Sequence, residues 1–185
     1  MIAFIGLGNI GDQYTDTKHN AGFRVVDEVA RRQKLSFVPG KGNYVFAHQI
    51  RKEFLLVKPT TGMNRSGNAV RDLPKHGKLL PQDFIVAVDD VDLPLGKNSY
   101  PAPKRWRWMS SWYGKYYLPV ASDKFPRIRL GIGTDENMRP AENYVLKPFR
   151  SDDQDTAAEM VKSGANAIEN ILIHGLNNTM SHFNS

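Results

Sequence analysis

Four apolar residues, Ile2 to Ile5, run straight into Gly6, Gly8 and Gly11, and an amphipathic helix begins only some ten residues after that. A run so short suits a buried strand, and the glycines at its end let the backbone turn sharply. A buried strand feeding a loop and then a helix is the opening unit of an α/β fold, in which ligands bind at strand ends. The loop, Gly6-Leu-Gly-Asn-Ile-Gly-Asp-Gln-Tyr-Thr-Asp-Thr-Lys-His-Asn-Ala-Gly-Phe23, carries Tyr14, His19 and Asn20. A substrate loop and a candidate base therefore share one segment.

The rest of the chain keeps alternating. Residues 21 to 33 place Phe23, Val26, Val29 and Ala30 on one face at helical spacing. Tyr44 to Ile50 and Glu53 to Lys58 read as a hairpin, with Pro59 stopping its second strand. Ser66 to His76 reads as a helix that Pro74 kinks or ends early. Phe84 to Val88 is a continuous apolar strand ending in Asp89-Asp90-Val91-Asp92, and Arg127 to Ile132 is another strand. Residues 152 to 173 form a long amphipathic helix, followed by a short one from Leu176 to Phe183. The expectation is an α/β fold: a single domain over residues 1 to 185, with a three-layer mixed sheet flanked by helices.

Composition narrows the function classes. At 185 residues and 41% hydrophobic, one domain can bury a sizeable core. The absence of cysteine excludes disulfides, thiolate nucleophiles and cysteine metal sites, and makes an intracellular compartment the default. No run approaches the roughly 18 apolar residues of a membrane span, so a soluble, cytoplasmic protein is expected. The net charge of +6 suits an anionic partner such as RNA. That excess is local, because Lys97, Lys104, Arg105, Arg107 and Lys115 share one stretch without Asp or Glu.

Gly6-x-Gly8-x-x-Gly11 after a strand matches a dinucleotide-binding pattern. A dinucleotide site needs its helix to start near the third glycine and an acidic residue at the end of the second strand, and neither is found. His19 reads either as a loop histidine capping the next helix or as a base. Asp89, Asp90 and Asp92 read either as a solvated loop or as the source of a carboxylate partner for that imidazole. A carboxylate on one ring nitrogen fixes the tautomer and leaves the other nitrogen as a base. A metal on His19 with these aspartates is disfavoured, since His48, His76, His174 and His182 are scattered without ligand spacing. Asn9, Asn20, Asn64 and Asn68 offer amides that orient a carbonyl or a water, or that serve turns. No serine sits in a G-x-S-x-G elbow, which favours direct attack by an activated water.

Three ordered motifs then carry a likeness: Gly6 to Phe23, Lys58-Pro-Thr-Thr-Gly-Met-Asn64-Arg-Ser-Gly67, and Asp89-Asp-Val-Asp-Leu-Pro-Leu-Gly96. Together the chain resembles bacterial peptidyl-tRNA hydrolase, and Arg127-Ile-Arg-Leu-Gly-Ile-Gly133, Tyr144-Val-Leu and the C-terminal helices continue the likeness. The resemblance implies a monomeric enzyme without metal or cofactor that cuts the ester between a peptide and the 3′ ribose of tRNA. It implies that His19 is the general base, that Asp89 holds it, and that Asn9 and Asn64 position carbonyl and water. It further implies that Tyr14 and the backbone near Gly62 and Met63 line the cleft for the tRNA end or the peptide.

Three departures stand out. Ile10 replaces the family's usual proline, which loosens the turn, and Gly62 replaces a usual aromatic, which removes apolar area from the cleft. The third is the anomalous segment 98 to 121, where the family has a basic strand and a glycine-rich loop ending in His-Asn-Gly, whose asparagine helps bind substrate. Here the segment instead holds all three tryptophans, Trp106, Trp108 and Trp112, among Arg and Lys. It reads as an aromatic RNA-binding insert, as a plain surface loop, or as an out-of-frame translation with the frame restored before Asp123. One base out of register, Trp106-Arg107, Trp108-Met109 and Trp112-Tyr113 necessarily yield glycine. The same offset permits Ile-Arg-Ile-Arg-Pro from Asn98 onward and His-His-Gly across Ser110 to Tyr113. Made as written, the chain lacks that asparagine, so the rival expectation is a catalytically impaired RNA-binding protein on the same scaffold.

Overall fold

The period-two alternation of β-branched and aromatic residues in the strands sorts the core into two halves, one on each face of a mixed sheet. The computed structural model describes residues 1–73, 79–80, 83–100, 125–133 and 141–183. Among these, the strands are β1 Ile2–Gly6, β2 Val38–Pro39, β3 Tyr44–Gln49, β4 Phe54–Pro59, β5 Phe84–Asp90, β6 Asn98–Ser99 and β7 Arg127–Gly131. Their order is β2-β3-β4-β1-β5-β7-β6. The central strands β4, β1, β5 and β7 are parallel, and the β2-β3 hairpin side and β6 run antiparallel to their neighbours.

The helices are α1 Ala21–Arg32, α2 Ser66–Asp72, α3 Ala141–Val145, α4 Gln154–His174 and α5 Leu176–Phe183. Phe4, Leu56, Ile85 and Ile128 turn toward α1 and α4, whose Val25, Val29, Ala165 and Ile168 complete that half of the core. Ile5, Val57, Val86 and Val88 turn the other way, against Ala69, Val70 and Leu73 around α2. This is the expected three-layer arrangement in a single α/β unit.

Two glycines set the approach of α1 to the sheet. A Cβ on Gly22 would lie 2.3 Å from the Ala87 carbonyl oxygen and 2.6 Å from the Leu7 nitrogen. A Cβ on Gly6 would lie 2.4 Å from the Gly22 carbonyl oxygen. Only backbone fits between them, so the first turn of α1 rests directly on the ends of β1 and β5. That contact delivers the preceding loop to the carboxyl end of β5.

The structure differs from the sequence pattern in three places. β5 runs on to Asp90, because Asp89 and Asp90 pair with Leu130 and Gly131 of β7. α2 ends at Asp72, with Leu73 after it; residues 74 to 76 of that expected helix, Pro74 and His76 among them, lie outside the described residues. β2, β6 and α3 were not foreseen, since elements of two to five residues are too short to show a period. Of the anomalous segment, only residues 98 to 100 are described.

Candidate active site

Neighbouring residues of a strand point to opposite faces, and β5 uses this at its last two positions. Asp89 turns to the α1 side, where its Oδ2 lies 2.9 Å from Nδ1 of His19. Asp90 turns to the other side, where its Oδ2 accepts from Arg129 Nε at 2.5 Å and its Oδ1 accepts from the Asp92 backbone N–H at 2.9 Å. The two aspartates are buried within the strand rather than solvated in a loop. His19 sits in a 3-10 turn, Lys18–Asn20, just ahead of α1. Its side chain is 13% exposed against 3% for Asp89, so the ring shows one edge to the surface while Nδ1 is engaged. Burial pulls the imidazole's pKa down, and the Asp89 charge and hydrogen bond outweigh that and hold it above the ordinary histidine value. The alternative of a capping histidine is set aside: Asn20, not His19, occupies the N-cap of α1.

The second half of the site is built from amides. The Asn9 backbone N–H donates to Asn20 Oδ1 at 2.7 Å, and Asn20 Nδ2 donates back to the Asn9 carbonyl at 3.0 Å. Asn9 Oδ1 in turn accepts from the Met63 backbone N–H at 2.8 Å. The loop after β1 is thereby joined both to the turn that carries His19 and to the loop after β4. The looseness expected from Ile10 is countered by this clamp on its neighbour. Gly62 adopts φ +75°, a left-handed conformation that favours glycine, and a Cβ placed there would lie 3.4 Å from Asn9 Oδ1. Asn64 follows in the exposed 3-10 turn Met63–Arg65. Tyr14 ends a 3-10 turn, Asp12–Tyr14, and is half-buried, its carbonyl accepting from both the N–H and the hydroxyl of Thr17.

Lys18 is a residue that sequence reasoning passed over. It is 4% exposed, with Nζ donating to the Pro148 carbonyl at 2.7 Å and lying 4.4 Å from the centre of the Tyr144 ring. Burial holds its ammonium below the usual lysine value, in spite of the Asp153 charge that acts the other way. With the Thr17–Pro148 bridge and the Lys18 N–H on the Lys147 carbonyl, it fastens the turn that carries His19 to the 144–149 segment. Its position next to His19 was the available signal.

The structure thus brings His19 to Asp89 and Asn9 to Met63, with Gly62 and Asn64 flanking the latter. Among the described residues no group of three or more His, Cys, Asp or Glu is placed to hold a metal ion. The two 3-10 turns that separate Gly11 from α1 also explain why the glycine pattern does not make a dinucleotide loop.

The family model described as peptidyl-tRNA hydrolase matches residues 3–185. Among curated proteins, the peptidyl-tRNA hydrolase of Prosthecochloris aestuarii is 36% identical over 97% of this chain and 94% of its own length. That of Thermodesulfovibrio yellowstonii is 36% identical over 100% of this chain and 99% of its own. Among solved structures, peptidyl-tRNA hydrolase from Acinetobacter baumannii superposes with a TM-score of 0.87 at 23% identity, covering 100% of this chain and 95% of that one, which is a likeness of fold.

Proposed function

The chain belongs to the peptidyl-tRNA hydrolase family, and from that premise we propose how its residues hydrolyse the ester joining a peptide to the 3′ ribose of tRNA. The observation that carries the reading is the 2.9 Å contact between His19 Nδ1 and Asp89 Oδ2. It fixes the tautomer with the proton on Nδ1, so that Nε2 holds the lone pair. Nε2 takes a proton from water as the oxygen attacks the ester carbonyl carbon. The negative charge gathers on the carbonyl oxygen, where Asn9 Nδ2 is the donor the site offers, since Asn9 Oδ1 is committed to Met63. Collapse of the tetrahedral intermediate breaks the bond to the ribose 3′ oxygen, which takes the proton back from the imidazolium. A free peptide acid and a tRNA hydroxyl result, with no covalent enzyme intermediate. Tyr14, Gly62, Met63 and Asn64 line the approach for the acyl group and the tRNA end.

Turnover of peptidyl-tRNA by His19→Ala tests this. Hydrolysis is expected to vanish while the circular dichroism spectrum stays that of the native protein; near-native turnover overturns the base assignment. Nothing in the fold or among the relatives favours the rival, a catalytically impaired RNA-binding protein. No helix among the described residues is long and apolar enough to cross a membrane. The reading takes the enzyme to act as a monomer in the cytoplasm, without a metal or cofactor.

A second proposal concerns residues 98 to 121, which we read as an out-of-frame translation of an ordinary family gene. Positions 98 and 100 support it. Both side chains face α4: Asn98 Nδ2 donates to the Met160 carbonyl at 3.0 Å, and Tyr100 is buried with its hydroxyl 3.2 Å from Ser163 Oγ. Asn98 Oδ1 is buried without a hydrogen-bond partner among the described residues, a situation that costs about 1 to 3 kcal/mol. The offset frame permits isoleucine at both inward positions and arginine between them, the apolar-in, polar-out alternation a half-buried strand requires. Resequencing the gene, or the intact mass of protein from its native source, decides: a mass matching the chain as written overturns the proposal.

A further inference from the structure

We propose that Asn20 is a positioning residue whose carboxamide presents Asn9 Nδ2 to the ester carbonyl; the proposal rests on the reading of Asn9 as a substrate contact. Asn20 is 4% exposed, and its two amide atoms are both spent on one residue. Oδ1 takes the Asn9 N–H at 2.7 Å and Nδ2 gives to the Asn9 carbonyl at 3.0 Å. A carboxamide carries a donor and an acceptor side by side in one plane, so it pairs with both peptide groups of a residue at once. That fixes the backbone from which the Asn9 side chain springs. The Met63 N–H on Asn9 Oδ1 then fixes the amide's rotation. Among the described residues no hydrogen bond engages Asn9 Nδ2.

Two further observations separate this role from ordinary turn or capping duty. Asn20 stands at the N-cap of α1, where an asparagine side chain normally bonds a helix N–H, and it makes no such bond. The capping stabilisation is forgone in favour of the loop. Gly8 is shaped to the clamp as well, since a Cβ there would lie 2.8 Å from Asn20 Oδ1. Because Asn20 follows His19 directly, a single turn of backbone sets the base and, through the clamp, the carbonyl donor. Their separation is governed by one residue.

The test is a double-mutant cycle on peptidyl-tRNA turnover with the full chain and its Asn20→Ala, Asn20→Asp, Asn9→Ala, Asn9→Ala/Asn20→Ala and Asn9→Ala/Asn20→Asp variants. Asn20→Asp keeps the size and the acceptor for the Asn9 N–H but sets a carboxylate oxygen against the Asn9 carbonyl. Each Asn20 change is expected to lower kcat about ten- to a hundredfold, the cost of a donor displaced by roughly an ångström, with KM changing less than about threefold. In the Asn9→Ala background the same change is expected to cost nothing further. A general structural role would instead multiply through, and equal losses in both backgrounds overturn the proposal. If Asn20→Ala does not fold, Asn20→Asp carries the same cycle. Native turnover by folded Asn20 variants overturns this proposal alone; native turnover by Asn9→Ala overturns the site reading and this proposal with it.

Discussion

At the residue scale, the proposed mechanism puts the response to pH on the His19–Asp89 pair. In the proposed mechanism His19 must be neutral to accept a proton, and the Asp89 charge holds its pKa above the ordinary histidine value against the pull of burial. Turnover therefore falls as pH drops through that raised value. In Asp89→Asn the attraction is gone and burial remains, so the acid limb of the kcat/KM profile is expected to move to lower pH. The plateau should drop by about a hundredfold or more, the usual worth of a well-held general base. An acid limb that stays in place contradicts the pairing. By linkage, the pair stabilises the fold fully below the unfolded histidine's value, and the contribution is lost as pH rises through the folded one. The contact of His19 with a carboxylate was legible in the sequence because a lone loop histidine and a carboxylate cluster each followed a strand. From the residues alone the three aspartates were equivalent and only the family likeness pointed to Asp89; the pairing shows why, since β5 extends through Asp90 and turns its two aspartates to opposite faces. Asn20 looked like turn chemistry, since nothing in its own neighbourhood shows that both amide atoms are spoken for.

At the element scale, the seat of α1 on the sheet is the controlling contact. In an exposed helix, exchanging glycine for alanine gains about 1 kcal/mol from backbone entropy. At Gly22 the new methyl would sit 2.3 Å from the Ala87 oxygen, which is backbone and does not yield. Gly22→Ala is therefore expected to lower stability by about 1 to 3 kcal/mol in urea unfolding, and to reduce turnover beyond that as His19 is lifted off Asp89. A stabilised variant would show that the contact is looser than drawn. The long elements were readable because α1 and α4 hold their apolar stripe over three turns or more. β2, β6 and α3 were not, and the end of α2 depended on where a proline stops a helix.

On the scale of the whole molecule, alternation of strands with helices announced the layers, but strand order was not in the pattern. β1 lies between β4 and β5, and that middle position gathers the loops after β1 and β4 and the end of β5, from which Asn9, Met63 and Asp89 come. A core change far from the site separates fold from chemistry. Ile168→Ala on α4, fully buried against the α1 side of the sheet, is expected to cost about 2 to 5 kcal/mol. At temperatures where the variant stays folded, its kcat should be native.

The clamp of Asn20, Asn9 and Met63 contains no ionisable group, and the His19–Asp89 pair is largely shielded from solvent. Mobile ions screen exposed charges and leave neutral or buried contacts nearly untouched. Substrate capture, by contrast, involves a polyanion whose affinity for a basic protein falls steeply with salt. Raising the ionic strength should therefore weaken KM several-fold and leave kcat flat, dividing recognition from catalysis with nothing more than sodium chloride.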